Sequence, residues 1–530
     1  MDTKASRQKV LDLAIRGKLV PQDPNDEPAS VLLERIRQQK QQMVKDGKLK
    51  AKDIKNDTII FVGEDNLHYE KFADGSVKCI EDEIPFELPD GWAWERLGNV
   101  GTIARGGSPR PIEDYLTNDA DGINWIKIGD TEKDGKYILQ TKEKIKPAGL
   151  SKTRYVRCGD FLLTNSMSFG RPYILKTDGC IHDGWLVIGN IDTVFDQNYL
   201  YYGLSSGFMY TTLSLLAAGS TVKNLKSDTV RSVLFPIPPL NEQKRMARRL
   251  ESLITFVDAI NADKARLIDI ITQAKNKILD LAIRGQLVPQ DPADEPASVL
   301  LERIRAEKEE LIRQGKIKRD KKESVIFRGE DNSYYLNDGT STIDISEELP
   351  FDIPDSWCWG RLKDIVMINP RNKLDDDTMV AFIPMPLIED GYSGRHTSEV
   401  RKWKEVKTGF THFQEGDVGV AKITPCFENR KSAIFENLCN GFGAGTTELH
   451  VFRPYNGTIL PQYLLAYMKS AQFVENGKQT FSGAVGQQRL SKEYVENAYF
   501  PIPPMEEQKR IVHQLGIVFK HLNSISDSLS

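Results

Sequence analysis

The sequence predicts a mixed α/β (α+β) chain built as a pseudo-two-fold internal repeat, with two divergent α/β domains separated by two long antiparallel helices. Three observations carry this expectation. The stretch from Asn241 to Gly285 is rewritten by the two chain ends. EEQKRIVHQLGIVFKHLNSISDSLS repeats its first half (Gln508 on Gln243, Ile511 on Met246), and KVLDLAIRG repeats its second half (Lys9 on Lys277, Gly17 on Gly285). The same stretch carries a heptad seam. Between the repeated frames lie two inserts with different letters. The chain thus reads as a two-fold repeat cut open inside one of its two helices.

The seam runs through Met246, Leu250, Leu253, Val257, Ile260, Leu267, Ile271, Ile278 and Leu281, and its C-terminal copy through Ile511, Leu515, Val518 and Leu522. Pro236, Pro238 and Pro239 block an earlier start, Asn241 can cap the helix, and Gly285 suits its stop. At 1.5 Å per residue such a helix spans roughly 60 Å. One helix alone would read as an amphipathic surface element; two copies at matching places favour helices packed on each other, and the repeat favours an antiparallel pair.

A chain of 530 residues with 40% hydrophobic content can bury several cores. Its net charge of −4 announces no global basic field, which argues against a nonspecific DNA coat but not against local DNA-reading faces. The six cysteines are scattered with no CxxC pair, so neither a disulfide framework nor zinc is expected. A polar N-terminus and the lack of a long apolar run predict a soluble cytoplasmic protein with no membrane partner.

After Gly17 comes KLVPQDPNDEPASVLLERIR and after Gly285 QLVPQDPADEPASVLLERIR, each promising a helix with an apolar stripe (Leu32, Leu33, Ile36 and Met43 in the first). Its charged side reads as a solvated face or as a docking face for a partner protein. IIFVGEDNLHYEKFADGS and VIFRGEDNSYYLNDGT follow as short β segments with turns at Asp74-Gly75 and Asp338-Gly339. IPFELPDGWAWERLGNV could tempt a nuclease reading through Pro89-Asp90 and Glu95-Arg96. The second copy has Gly360 in place of Glu95, so the tryptophan pairs read as packing.

Cofactor chemistry has no foothold in the letters. There is no GxxxxGK[ST] loop, no GxGxxG in a βαβ setting and no HxxxH pair; Asn369-Pro370-Arg371 lacks the second proline and the aromatic of an amino-methyltransferase tetrad. A Ser168, His182 and Asp183 set has no nucleophile elbow to support it. The expectation is a binder with no catalytic residue, metal or cofactor of its own.

In the inserts, polar and basic residues gather in glycine-bearing turns. The first offers Arg105, Ser108, Arg110, Lys127, Asn165, Ser166, Ser168, Arg171, Lys223 and Asn224. The second offers Arg371, Asn372, Lys373, Lys422, Thr424, Asn429, Arg430, Lys431, Thr446, Thr447, Gln487, Gln488 and Arg489. Arg and Lys suit guanine edges and phosphates, Asn and Gln suit adenine, and Ser or Thr suits either. Singly, each is more often an ordinary turn residue; as two sets at matching positions they become candidates for DNA contact.

The duplicated LDLAIRG–LVPQDP–DEPASVLLERIR blocks, the twin FPIPPLNEQKR and FPIPPMEEQKR segments, WIKIGD, GDFLLTNS and AKITPCFEN together resemble the specificity (S) subunit of type I restriction–modification enzymes, end to end and in motif order. That resemblance implies two target-recognition domains, each reading one half of a split site in double-stranded DNA, with the helices as a ruler. It also implies two methyltransferase (M) subunits that bring S-adenosylmethionine and methylate adenine, and two restriction (R) subunits that use ATP and Mg2+. The expected layout is 1–17 as the N-terminal part of the distal helix and 18–83 as a helical and short-strand frame. Target-recognition domain 1 takes 84–240, the central helix 241–285, the repeated frame 286–348, domain 2 349–504, and the rest of the distal helix 505–530. An autonomous sequence-specific regulator and a coiled-coil scaffold remain open as alternatives.

Overall fold

The computed structural model describes residues 2–47, 50–132, 135–165, 169–217, 224–319, 324–455, 457–484 and 487–529. The chain divides into two units, Met1–Asp263 and Lys264–Ser530, and the helix Leu240–Ile283 contributes to both. Each unit is mixed α/β.

In the first unit the helix Thr3–Ile15 starts at Asp2, whose carboxylate accepts from the Ala5 N–H, and ends at Gly17 with φ +67°. Lys18 N–H closes on Leu13 C=O, so the stop is a glycine-dependent Schellman turn. The helix runs antiparallel to the first part of Leu240–Ile283: Thr3 meets Asn261 at 3.1 Å and Arg7 meets Asp258 at 2.8 Å. Leu11, Ala14 and Ile15 share a core with Met246, Ala247, Leu250 and Ile254, and with Leu32, Leu33 and Ile36 of the helix Ala29–Lys45. In the second unit Met505–Leu529 pairs with the far part of the central helix. Lys275 donates to Asn523 at 2.7 Å, while Leu279, Ala282 and Ile283 share a core with Ile511 and Leu515.

The duplicated frame makes duplicated bonds. The indole of Trp92 donates to Glu242, which also receives Gln22, and Arg245 pairs with Asp26. Trp357, Glu507, Gln290, Arg510 and Asp294 repeat this set. Trp94 and Trp359 are buried as well, as packing residues should be.

The inserts, whose letters differ, share one topology. In each, a sheet is ordered Thr102–Arg105, Trp185–Gly189, Phe161–Thr164, Pro172–Leu175 in the first unit and Val366–Ile368, Leu449–Pro454, Val418–Ala421, Ser432–Ile434 in the second. A further sheet is ordered Arg154–Val156, Gly179–Ile181, Ile123–Ile126, Glu143–Ile145 and, correspondingly, Thr411–Gln414, Phe442–Gly445, Met379–Ile383, Glu399–Lys402. Its parallel pair recurs in both units. The first unit adds Tyr137–Ile138 to one sheet and Leu116–Thr117 to the other.

The continuous heptad seam requires correction. Met246, Leu250, Val257, Ile271, Ile511 and Leu515 are buried, but Leu253, Ile260, Ile278, Leu281, Val518 and Leu522 are half-buried and Leu267 is exposed. Ile254, Leu279, Ala282 and Ile283 are buried in their stead. Both ends of the helix sink into globular cores, where burial follows the 3.6-residue period and drifts off a strict 3.5 repeat.

Candidate nucleic-acid interface

Strand register superposes the two inserts without any help from side chains. Leu163 pairs with Pro172 and Leu186, and Val420 with Ser432 and His450. One residue past the strand end stand Asn165 and Lys422. The Asn165 N–H donates to Gly184 C=O and its own C=O accepts from Leu225 N–H at 2.9 Å. The Lys422 N–H donates to Glu448 C=O and its C=O accepts from Leu490 N–H at 2.8 Å. A strand end, the residue leading into its antiparallel neighbour and Leu225 or Leu490 therefore meet at one main-chain junction in both units, and the side chains displayed around it differ.

In the first unit the display is organised by Asp183. Its C=O accepts from Arg105 Nε at 2.9 Å and from Asn165 Nδ2 at 2.7 Å; its carboxylate accepts from Ser108 Oγ at 2.9 Å and lies 3.4 Å from the exposed Arg110 guanidinium. Burial works to raise the Asp183 carboxyl, but the Ser108 hydroxyl and the nearby His182 and Arg105 leave it below its ordinary value. Asn165 is buried, and Asn224 Oδ1 is buried with no hydrogen-bond partner among the described residues. Lys127 pairs with Glu143, and the Arg171 guanidinium lies over the Tyr173 ring at 5.4 Å. Ser166, Ser168 and Lys223 lie outside the described residues.

The second unit gathers Lys422, Thr424, Thr446, Thr447, Gln487, Gln488 and Arg489 around the same junction. The Thr424 N–H donates to Gln488 C=O, and Thr424 Oγ1 accepts from the Gln488 N–H. Arg489 forks onto Glu448, with Nε to Oε2 at 3.0 Å and Nη2 to Oε1 at 2.9 Å, and holds that carboxylate below its usual range. Thr446 Oγ1 accepts from the Glu448 N–H, while Thr447 and Gln487 are exposed. Burial, aided by the Lys422 charge, pushes the neighbouring His450 down to about 4, so it is neutral at physiological pH.

Two other groups are engaged elsewhere through their side chains. Arg371 donates to Phe410 C=O, Asn372 bonds Phe413 C=O and accepts from Arg453, and Lys373 is exposed. Asn429 is exposed and Lys431 faces Asp390 at 3.6 Å. The Arg430 guanidinium, expected at bases, is engaged inside the protein with Lys469 C=O and with Asn276 of the central helix, both at 3.0 Å. Asp183 and Glu448 were missing from the expected set, because a carboxylate next to DNA is a poor candidate on charge alone; no spacing in the sequence ties either to its arginines. Among the described residues, no group of His, Cys, Asp and Glu could hold a metal ion and no helix is long and apolar enough to cross a membrane.

Comparison with known proteins adds a family to this geometry. The type I restriction enzyme EcoAI specificity subunit of Escherichia coli is 47% identical over 260 residues, 49% of this chain and 40% of that protein. The EcoEI specificity subunit of the same organism is 46% identical over 243 residues, 46% of this chain and 38% of that protein. The aligned part of the chain thus spans about two fifths of the length of these relatives. The EcoBI specificity subunit, also from Escherichia coli, is 21% identical over 462 residues, 87% of this chain and 86% of that protein. A chain from a solved structure, described as the structural basis of complex assembly and conformational transition of the type I R-M system, shares the fold with a TM-score of 0.50. It is 17% identical, over 84% of this chain and 94% of that one. The profile of the type I restriction modification DNA specificity domain matches twice, at residues 89–268 and 354–528. Matched over more than half its length, the chain belongs to the family of type I restriction modification DNA specificity domains.

Proposed function

We propose that this chain is the DNA sequence-recognition subunit of a type I restriction–modification complex, non-catalytic itself and working in the cytoplasm. The first target-recognition domain reads one half of an asymmetric bipartite site in double-stranded DNA and the second reads the other. The long helices set the gap between them. Two M subunits with S-adenosylmethionine methylate adenine through it, and two R subunits with ATP and Mg2+ translocate and cleave. The observation that carries this reading is the shared main-chain junction with unlike side chains. Arg105, Arg110 and Asn165 stand at one junction, and Lys422, Gln488 and Arg489 at the other. Identical mounts with different hydrogen-bonding letters are what two readers of different half-sites require.

The test is a methylome. The chain is co-expressed with a partner methyltransferase subunit in a methylation-free host, and modified adenines are mapped. The expected result is one gapped, asymmetric motif that disappears when this chain is omitted. A well-folded, partner-bound complex that modifies nothing would overturn the proposal in favour of a regulator or scaffold.

A further inference from the structure

Each divergent insert carries its own cationic anchor onto the central helix, and the two anchors are built differently. In the first unit Lys136 Nζ sits among the rings of Tyr137, Tyr201 and Tyr202, 4.7 to 5.5 Å from their centroids. It donates to Asn198 at 2.6 Å and lies 3.8 Å from Glu251 on the helix. In the second unit the Arg430 guanidinium donates to Asn276 on the helix at 3.0 Å and lies 5.2 Å from the centre of the Tyr392 ring, whose own hydroxyl reaches Asn276 at 2.7 Å. Below it the buried Lys469 ammonium donates to Gly391, Arg430 and Ser432 carbonyls at 2.6, 2.9 and 3.0 Å.

The backbone at Arg430 shows that this side chain is wanted there. Counted back from the paired strand residues Pro172 and Ser432, Arg430 occupies the place of Gly170. Both are left-handed, with φ +71° at Gly170 and +55° at Arg430. Glycine takes that conformation at no steric cost; an arginine holds it only against strain, which its contacts must offset. Neither anchor belongs to the duplicated letters, so each insert brings its own means of seating on a shared helix.

We propose that Lys136 and Arg430 are positioning residues that seat each reader on the helix and so fix how faithfully the gap between half-sites is measured, without choosing the bases. A reader seated by a half-buried cation on a helix meets DNA at one distance along the duplex; loosened there, it tolerates neighbouring distances. This rests on the function proposed above, so the wild-type complex must first yield a single gapped motif; without one, that reading has failed and not this inference.

The experiment measures methylation of a DNA library that keeps both half-sites and varies the gap by one and two base pairs. It compares wild type with Lys136→Ala, Arg430→Ala, Arg430→Lys and Tyr392→Phe, the last removing only one hydroxyl in case the alanine variant folds poorly. Arg430→Ala is expected to keep the half-site letters while methylation of off-length gaps rises about tenfold relative to the native gap, the worth of one charge-assisted bond. Tyr392→Phe should move the same way by less, and Arg430→Lys should restore part of the discrimination. Relaxed letters in one half-site would make the residue a base reader, and an unchanged gap preference in folded variants would reduce it to ordinary packing; either overturns the proposal.

Discussion

Trp92 donates its indole N–H to Glu242, at 3.0 Å and 150 residues along the chain, and Trp357 meets Glu507 at 2.9 Å across the same interval. The bond ties the loop that follows the first frame to the opening turn of the helix that closes the insert, so the insert begins and ends at one fixed point. Trp92→Phe keeps the ring and removes the donor from a buried carboxylate. The first unit should lose about 1–3 kcal/mol, read as a lower denaturant midpoint of its own transition, with Trp357→Phe acting on the second unit alone.

Glu95 supplies a pH dependence to the first unit. Burial pushes its carboxyl up to about 7, against the opposing bonds from Asn99 and the Arg96 N–H. A carboxyl raised in the folded state binds more protons than in the unfolded chain, so its contribution is fullest below the unfolded value near 4.5 and is lost as pH rises through 7. Urea midpoints of the first unit should therefore fall between pH 5 and pH 7.5 by an amount on the order of 3 kcal/mol, and Glu95→Gln should flatten that slope. Glu95→Gln is the control, because the second unit, with Gly360 at this place, has its own titrating groups in the buried His450 and Lys469.

Arg489 must exchange Glu448 for a base or phosphate if it reads DNA. Arg489→Ala should weaken discrimination only at the half-site read by the second unit, by about 1–3 kcal/mol if the contact is to a base. Competition binding with single-base variants of each half-site checks this; equal losses at both halves would show a folding effect instead.

Gly17 combines two requirements. Its φ is +67°, and a Cβ there would stand 2.4 Å from Pro89 Cγ. Gly47 has φ +72° with nothing among the described residues within 4 Å of that point. Gly17→Ala should cost more than about 1 kcal/mol and Gly47→Ala only the backbone share of that; similar thermal shifts for the two would mean that the packing against Pro89 relaxes freely.

The frame was legible because it is written twice. Trp92 and Trp357, Arg245 and Arg510, Gly17 and Gly285 each occur in matching letters, and each pair makes matching contacts. The shared topology of the inserts was not legible letter by letter, since Phe161–Thr164 and Val418–Ala421 agree in burial and pairing but not in sequence. The seam misled at Leu267 because a heptad pattern records spacing and not what lies opposite. Arg430 marks a different limit. A cation in a polar turn carries no mark that separates a guanidinium aimed outward from one turned back onto Asn276.

The strand ends at Asn165 and Lys422 are each held by two main-chain bonds, N–H to Gly184 or Glu448 and C=O from Leu225 or Leu490. Such bonds are blind to the identity of the residue that makes them, so a substitution at Lys422 changes what is displayed and leaves both in place, whereas one at the buried Asn165 also gives up its side-chain bond to Asp183 C=O. If the junctions read DNA, the second can drift in its target one letter at a time with little toll on folding, while the first is tied to its asparagine.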